Sequence, residues 1–370
     1  MPSPLTRKPR APPQRAPRRG AERHPLAKGD RPSAAFGLPL DLAPMEARSA
    51  EALPDEQGSW QYEPKWDGFR CLVFKAGDAI ELRTKSGKAL GRFFPEIVSL
   101  LRGLSVKRFV VDGEVIVDID GRPSFDALQM RLHPAESRIR KLSRETPARL
   151  VLFDMLLSPD LGVLTEAPLT RRRVALERFF KKVGAASGLA LTPCTLSIDE
   201  AKAWLSDLAA GTDGVVAKRL AVPYESGERA MVKVKRLRTA DCVVGGFRYE
   251  AKSSEVGSLL LGLYNDDGKL DHVGFTATIS DAERPLLTKR LEKLRQPPGF
   301  TGKAPGGPSR WSTERSGEWR PVRPELVVEV RFDHATDGRF RHGTKLLRWR
   351  PDKAPRQCTF EQIAPHPRRA

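Results

Sequence analysis

The chain has 370 residues, room for two ordinary domains, and 39% of them are hydrophobic, which excludes a wholly disordered protein. Lys and Arg number 64 against 46 Asp and Glu, a formal charge of +18 that points to a polyanionic partner such as nucleic acid. No apolar run approaches the roughly eighteen residues needed to span a bilayer, and Arg and Pro replace any secretory core at the N-terminus, so a soluble, cytoplasmic protein with no membrane partner is expected.

Residues 1–32 hold nine Lys/Arg against Glu22 and Asp30, interleaved with eight prolines, and cannot form a packed core. From about Ala34 short apolar strands alternate with helical stretches, the outline of an α+β domain. Strands are expected at 71–75, 80–83, 109–118, 150–156, 214–218 and 231–235, and helices at 95–104, 124–142, 170–183 and 197–210. Ser197 with Glu200 three residues later reads as a capping box. After Thr239 the pattern turns β-rich: 241–249, then 256–277 with Asn265-Asp266-Asp267-Gly268 as a hairpin turn inside it. A helix over 281–294, a Pro/Gly-rich loop over 296–308 and strands over 325–332 and 345–350 complete the outline of an OB-type barrel.

The four cysteines, Cys71, Cys194, Cys242 and Cys358, are widely spaced and form no CxxC pair, so neither a zinc ribbon nor a redox motif is present. They read as small buried hydrophobes in a reducing compartment.

Several short stretches carry functional groups. In Glu63-Pro64-Lys65-Trp66-Asp67-Gly68-Phe69-Arg70, Lys65 can act as a nucleophile only if its amine is partly neutral. Burial and neighbouring cations would depress it, so basic residues should gather around it. Lys-x-Asp-Gly alone is weak, since about one chain of this size in ten would contain it by chance, and a surface turn after Trp60 and Tyr62 is the plainer alternative. In Val111-Asp112-Gly113-Glu114-Val115, strand alternation puts Asp112 and Glu114 on one face, which is costly unless they meet a cation. Phe153 sits in an apolar strand, and Asp213 enters another. Lys233 and Lys235 share a strand face, an arrangement eased by a phosphate between them. Arg348, Asp352 and Lys353 lie near the C-terminus.

The order and spacing of these stretches, together with the flanking Arg131-Leu132-His133-Pro134, Tyr224, Val232–Gly246 and Gly257–Tyr264, resemble the motif series of ATP-dependent DNA ligases. The likeness is to the stand-alone bacterial C type, and also to the ligase module of D-type end-joining ligases. It covers about residues 36–365. The resemblance implies a basic disordered tail over 1–33, an adenylation (nucleotidyltransferase) domain of antiparallel sheets and helices over 34–238, and an OB-fold domain over 239–370. It implies ATP as cofactor with Mg2+ or Mn2+, a monomer acting on nicked duplex DNA in repair, and a place on the nucleoid.

By the same resemblance Lys65 would carry AMP, with Glu63 beside adenine, Arg70 near ribose and nick, Glu114 on the ribose hydroxyl and Phe153 stacked on the base. Lys233 and Lys235 would grip the α-phosphate. Asp67, Glu114 and Asp213 would hold the metal, and Arg70 and Lys85 would contact DNA phosphate. Arg348, Asp352 and Lys353 would arrive from the second domain to orient pyrophosphate. Two positions depart from the usual pattern. Lys85 stands where an Arg is common and lacks its bidentate fork, and Asp213 replaces the usual Glu with a shorter carboxylate. An RNA ligase or capping enzyme, an NAD-using ligase and a catalytically dead nucleic-acid-binding module are the alternatives. The flanking match, the absent cysteine zinc module and the intact Lys65, Glu114, Lys233 and Lys235 argue against them in turn.

Overall fold

The computed structural model describes residues 35–184, 188–207, 212–306 and 318–364. The basic tail, residues 208–210 of the expected helix and the end of the Pro/Gly-rich loop lie outside them.

In chain order the first domain begins with β1 (Ala47–Ala50), β2 (Trp60–Lys65), β3 (Phe69–Ala76), β4 (Ala79–Thr84), α1 (Pro95–Gly103), β5 (Arg108–Ile119) and β6 (Arg122–Pro123). It continues through α2 (Phe125–Met130), α3 (Glu136–Glu145), β7 (Ala148–Ser158), β8 (Gly162–Val163) and α4 (Leu169–Val183). It ends with β9 (Leu189–Leu191), α5 (Ile198–Ser206), β10 (Gly214–Arg219) and β11 (Met231–Lys235). The strands form two sheets. The larger follows β4-β3-β5-β7-β8, with β6 and β9 at its margins, and the smaller follows β1-β11-β10-β2.

Each sheet buries one face under helices. Ile97 and Leu101 of α1 and Leu176 and Phe179 of α4 pack on Val73, Val111 and Met155 of the larger sheet. Ala201 of α5 packs with Trp60, Tyr62, Val215 and Ala217 of the smaller one. Trp60 and Tyr62 are thus core residues of a strand ending at Lys65, not the approach to a surface turn. Ser197 caps α5 by accepting from the Glu200 backbone N–H, but its own N–H donates to Thr195 Oγ1, so the expected capping box is only half formed.

The helix expected over 124–142 is two helices. Pro134 disfavours helical backbone at His133, and the chain breaks between Arg131 and Ala135. Arg131 pins the break. Its guanidinium is fully buried, donates to Glu96 at 2.6 and 2.9 Å and to the Phe93 carbonyl, and lies over the Phe94 ring.

The second domain contains β12 (Arg238–Tyr249), β13 (Val256–Tyr264), β14 (Leu270–Thr276), α6 (Arg284–Lys293), β15 (Arg320–Pro321), β16 (Val327–Phe332), β17 (Ala335–Thr336), β18 (Arg339–Phe340) and β19 (Lys345–Trp349). Its main sheet runs β14-β13-β12-β16-β19. The Thr344 backbone N–H donates to the Phe275 carbonyl and Thr276 bridges Thr344, so the first and last strands meet and the sheet closes into a five-stranded barrel. Asn265–Lys269 is the hairpin turn between β13 and β14, which the unbroken pattern over 256–277 contained.

Candidate active site

A cleft of about 280 Å³ opens between the two sheets of the first domain. Arg70, Glu114 and Phe153 enter it from the larger sheet; Glu63, Lys65, Lys218 and Lys233 enter from the smaller one. Lys65 and Asp213 meet because of strand register. Gly214 of β10 pairs with Lys65 of β2, the Asp213 N–H donates to the Lys65 carbonyl at 2.8 Å, and Lys65 Nζ then reaches Asp213 Oδ2 at 2.9 Å. Two glycines make this close approach possible. A Cβ at Gly214 would lie 2.1 Å from the Val234 carbonyl oxygen, and one at Gly68 would lie 2.3 Å from that of Val115.

The carboxylates expected to need a cation find one. Asp112, fully buried, accepts from Arg70 at 2.6 and 2.5 Å and from the Tyr224 hydroxyl at 2.6 Å. Directly across the ladder Asp154 takes its own arginine, Arg172, at 2.8 Å, so each of the two buried carboxylates has a guanidinium partner. Glu114 keeps its position in the cleft. Burial pushes its carboxyl up to about 7; Arg70 and Lys65 pull it back while Asp112 and Asp67 add to the rise.

Arg70 is held on Asp112 and the Met45 carbonyl, and its guanidinium lies 4.6 Å from the centre of the Phe153 ring. Lys218 Nζ lies at the same distance from that ring and bonds Glu63 at 2.8 Å, while Gln61 donates to the other Glu63 oxygen. Lys85 lines the rim and pairs with Glu46 at 2.8 Å.

The expectation that cations depress Lys65 is corrected. Burial does disfavour its charged form, but Asp213, Glu114 and Asp67 outweigh that and hold the amine above the ordinary lysine value. The amine that is pushed down is that of Lys233, by burial and by Lys65, Lys235 and Lys85. Asp213, the acid with the largest effect, lies 148 residues away in sequence, so the local motif, which contains Asp67 alone of the three, could not reveal it. Asp213 in turn is held well below the ordinary carboxylate range: contacts to His334 and Lys65 overcome its burial.

Not all the expected residues gather here. Lys235 points to the second domain and donates to Asp333 at 2.6 Å. Arg348 bonds Glu329, Asp352 bonds Arg350 and Lys353 bonds Asp241, all within the second domain and away from Lys65. In their place stand residues the sequence reading passed over. Arg341 Nη1 donates to Asp67 at 2.6 Å, and His334 lies 3.1 Å from Asp213 and 3.6 Å from Asp67. They flank a small β17–β18 hairpin with an Asp337-Gly338 turn, a dipeptide that is itself a hairpin signal. Among the described residues, Asp67, Asp213 and His334 each bring a ligand atom within 4.8 Å of the others. The buried Asp213 Oδ1 faces His334 Nδ1.

The family model described as "ATP dependent DNA ligase domain" matches residues 42–235, and that described as "ATP dependent DNA ligase C terminal region" matches 252–353. DNA ligase C1 of Mycolicibacterium smegmatis is 45% identical over 87% of this chain and 93% of its own length. A multifunctional end-joining DNA repair protein, LigD of Mycobacterium tuberculosis, is 31% identical over 87% of this chain and 40% of its own length. Among solved structures, one titled "Pmar-Lig_Pre" shares the fold with a TM-score of 0.58 at 18% identity, covering 85% of this chain and 68% of that one. With both halves matched in order and a stand-alone relative aligned nearly end to end, this chain belongs to the ATP-dependent DNA ligases.

Proposed function

We propose that the protein seals 3′-hydroxyl/5′-phosphate nicks in duplex DNA through a lysyl-AMP intermediate on Lys65, in DNA repair and as a monomer. The observation that carries this reading is the cleft itself: an amine at its floor, an aromatic ring and a buried Glu–Lys pair at its sides, and a lysine cluster at one end. In the first step neutral Lys65 attacks the α-phosphorus of ATP; the P–N bond forms as the bond to the α–β bridging oxygen breaks, and pyrophosphate leaves. Phe153 offers a face for adenine, Glu63 with Lys218 a polar edge, and Glu114 an acceptor for the ribose. Lys233, with Lys85 at the rim, offers charge to the phosphates. A 5′-phosphate oxygen of the nick then attacks the adenylate phosphorus, releasing Lys65. The 3′-hydroxyl finally attacks the 5′-phosphorus, releasing AMP.

Asp67 and Asp213 are oxygen donors suited to Mg2+ or Mn2+, and their ligand atoms lie close enough together to share such an ion. A cation held there would supply positive charge beside Lys65 and so would favour its neutral amine. Arg348, Asp352 and Lys353 are assigned to pyrophosphate, which requires the second domain to turn before lysine adenylation. The net charge of +18 suits a polyanionic substrate.

The test is a pulse of α-labelled ATP with a divalent metal, followed by a chase with nicked duplex. Label should enter the protein, move to the 5′-phosphate of the nick and leave as AMP as the strand is joined. Label that stays on the protein in the presence of nicked duplex, while another nucleic-acid end accepts it, refutes the nick as substrate.

A further inference from the structure

Among the described residues three acids line the cleft, and two already have a part: Glu63 is paired with Lys218, and Glu114 is assigned to the ribose. Glu46 is the third. Its backbone is fixed from both sides, the N–H donating to the Glu228 carbonyl at 2.7 Å and the carbonyl accepting from the Met231 N–H at 3.0 Å. These bonds lead into the parallel pairing of β1 with β11, in which Ser49 lies opposite Lys233. The carboxylate so placed at the lip of the cleft takes Lys85 Nζ at 2.8 Å and lies 3.9 Å from Arg229. Lys85 above all, with Arg229 and Lys233, holds its carboxyl below the ordinary glutamate value, so it is charged at neutral pH. Next to it, the Met45 carbonyl accepts from Arg70. One short segment thus ties down two of the cations that face the phosphates.

We infer that Glu46 is a positioning residue that keeps the hold of the cleft on pyrophosphate weak: it occupies Lys85 and sets a negative charge at the lip, so the product leaves before it can reverse the adenylation of Lys65. The physical need is charge balance. Lys65, Arg70, Lys85 and Lys233 all line the cleft, and four cations would grip any polyphosphate. ATP also has its base and ribose to bind by, whereas pyrophosphate has phosphates alone. Pyrophosphate that stays can run the first step backwards. Its oxygen attacks the adenylate phosphorus, the P–N bond breaks, the Lys65 nitrogen takes up a proton, and ATP re-forms. With Glu46 in place, a phosphate reaches Lys85 only by displacing a fixed carboxylate and lying beside it.

The inference rests on the lysyl-AMP reading, and the experiment separates the two. Wild type, Glu46→Gln and Glu56→Gln are labelled with α-labelled ATP, freed of nucleotide and mixed with graded sodium pyrophosphate, and the label returning as ATP is followed. Glu56 pairs with Arg219 at the end of β10 remote from Lys65, so its variant removes the same charge away from the cleft. Glu46→Gln should reach half-maximal reversal at about one fifth of the wild-type pyrophosphate concentration, with the gap narrowing as salt is added. Glu56→Gln should match wild type. A purely structural role for Glu46 would instead loosen the cleft and raise the concentration needed. An unchanged or higher requirement in Glu46→Gln, or an equal gain in Glu56→Gln, overturns the inference and leaves the lysyl-AMP reading standing. Wild type that takes up no label from ATP overturns that reading, and this one with it.

Discussion

Glu114 occupies the cleft at an electrostatic cost that substitution should reveal. Its carboxyl rises from the ordinary 4.5 to about 7, chiefly through burial. That difference corresponds to about 3 kcal/mol between protonation states, and partial exposure to the cleft reduces it to roughly 2 kcal/mol. A carboxyl raised on folding contributes stability that is fully present below 4.5 and lost as pH climbs to about 7. Glu114→Gln, which cannot ionise, should therefore match wild type near the lower value and exceed it above the higher one. Thermal unfolding of the ligand-free protein reads this directly: a gain of about 4–8 °C in the transition of the first domain in mildly alkaline buffer, shrinking to nearly nothing in acid. The same variant should need more ATP for lysine adenylation, having given up a carboxylate acceptor. A variant less stable than wild type at high pH, or a gain independent of pH, would refute the view that Glu114 is held at a cost for function.

Three further outcomes follow from individual contacts. Lys75 is buried and its amine caps α1 by donating to the carbonyls of Leu101, Arg102 and Leu104; Lys75→Met should cost about 2–4 kcal/mol in denaturant unfolding while the KM for ATP stays put. Phe153→Leu should raise the KM for ATP roughly fivefold, about 1 kcal/mol of lost stacking, and an unchanged KM would remove the ring from the adenine site. Arg348 is 65% exposed and, among the described residues, bonds Glu329, so Arg348→Ala should shift stability by less than about 0.5 kcal/mol. It should nevertheless slow lysine adenylation about tenfold; adenylation at the wild-type rate would strip the 348–353 segment of its assigned part.

The strands and helices were largely legible because apolar runs and capping residues act locally. Val111 and Val115 face the core in the expected alternation, and Ser197 caps α5 where the sequence put it. The break before α3 was equally local, since Pro134 announces it, and the Asp337-Gly338 turn was there to be read. The site was legible as a set of residue types but not as a set of partners. Register brings Asp213 to Lys65, and domain docking brings Arg341 to Asp67; neither distance is written in a motif. The charge state of Lys65 followed from those partners, which is why composition around the lysine gave the wrong sign. The orientation of the second domain depends on a few contacts, Lys235 to Asp333 and Arg341 to Asp67 among them, with no sequence pattern of their own.

The account stands on Lys65 as the residue that bears adenylate. Enzyme incubated with ATP and Mg2+ is digested under alkaline conditions, where a P–N bond survives, and the peptides are weighed. One adenylate should sit on the peptide containing Lys65, disappear after brief acid treatment, and be missing from Lys65→Ala. An adduct on Lys218 or Lys233, or one that persists in Lys65→Ala, would contradict the account.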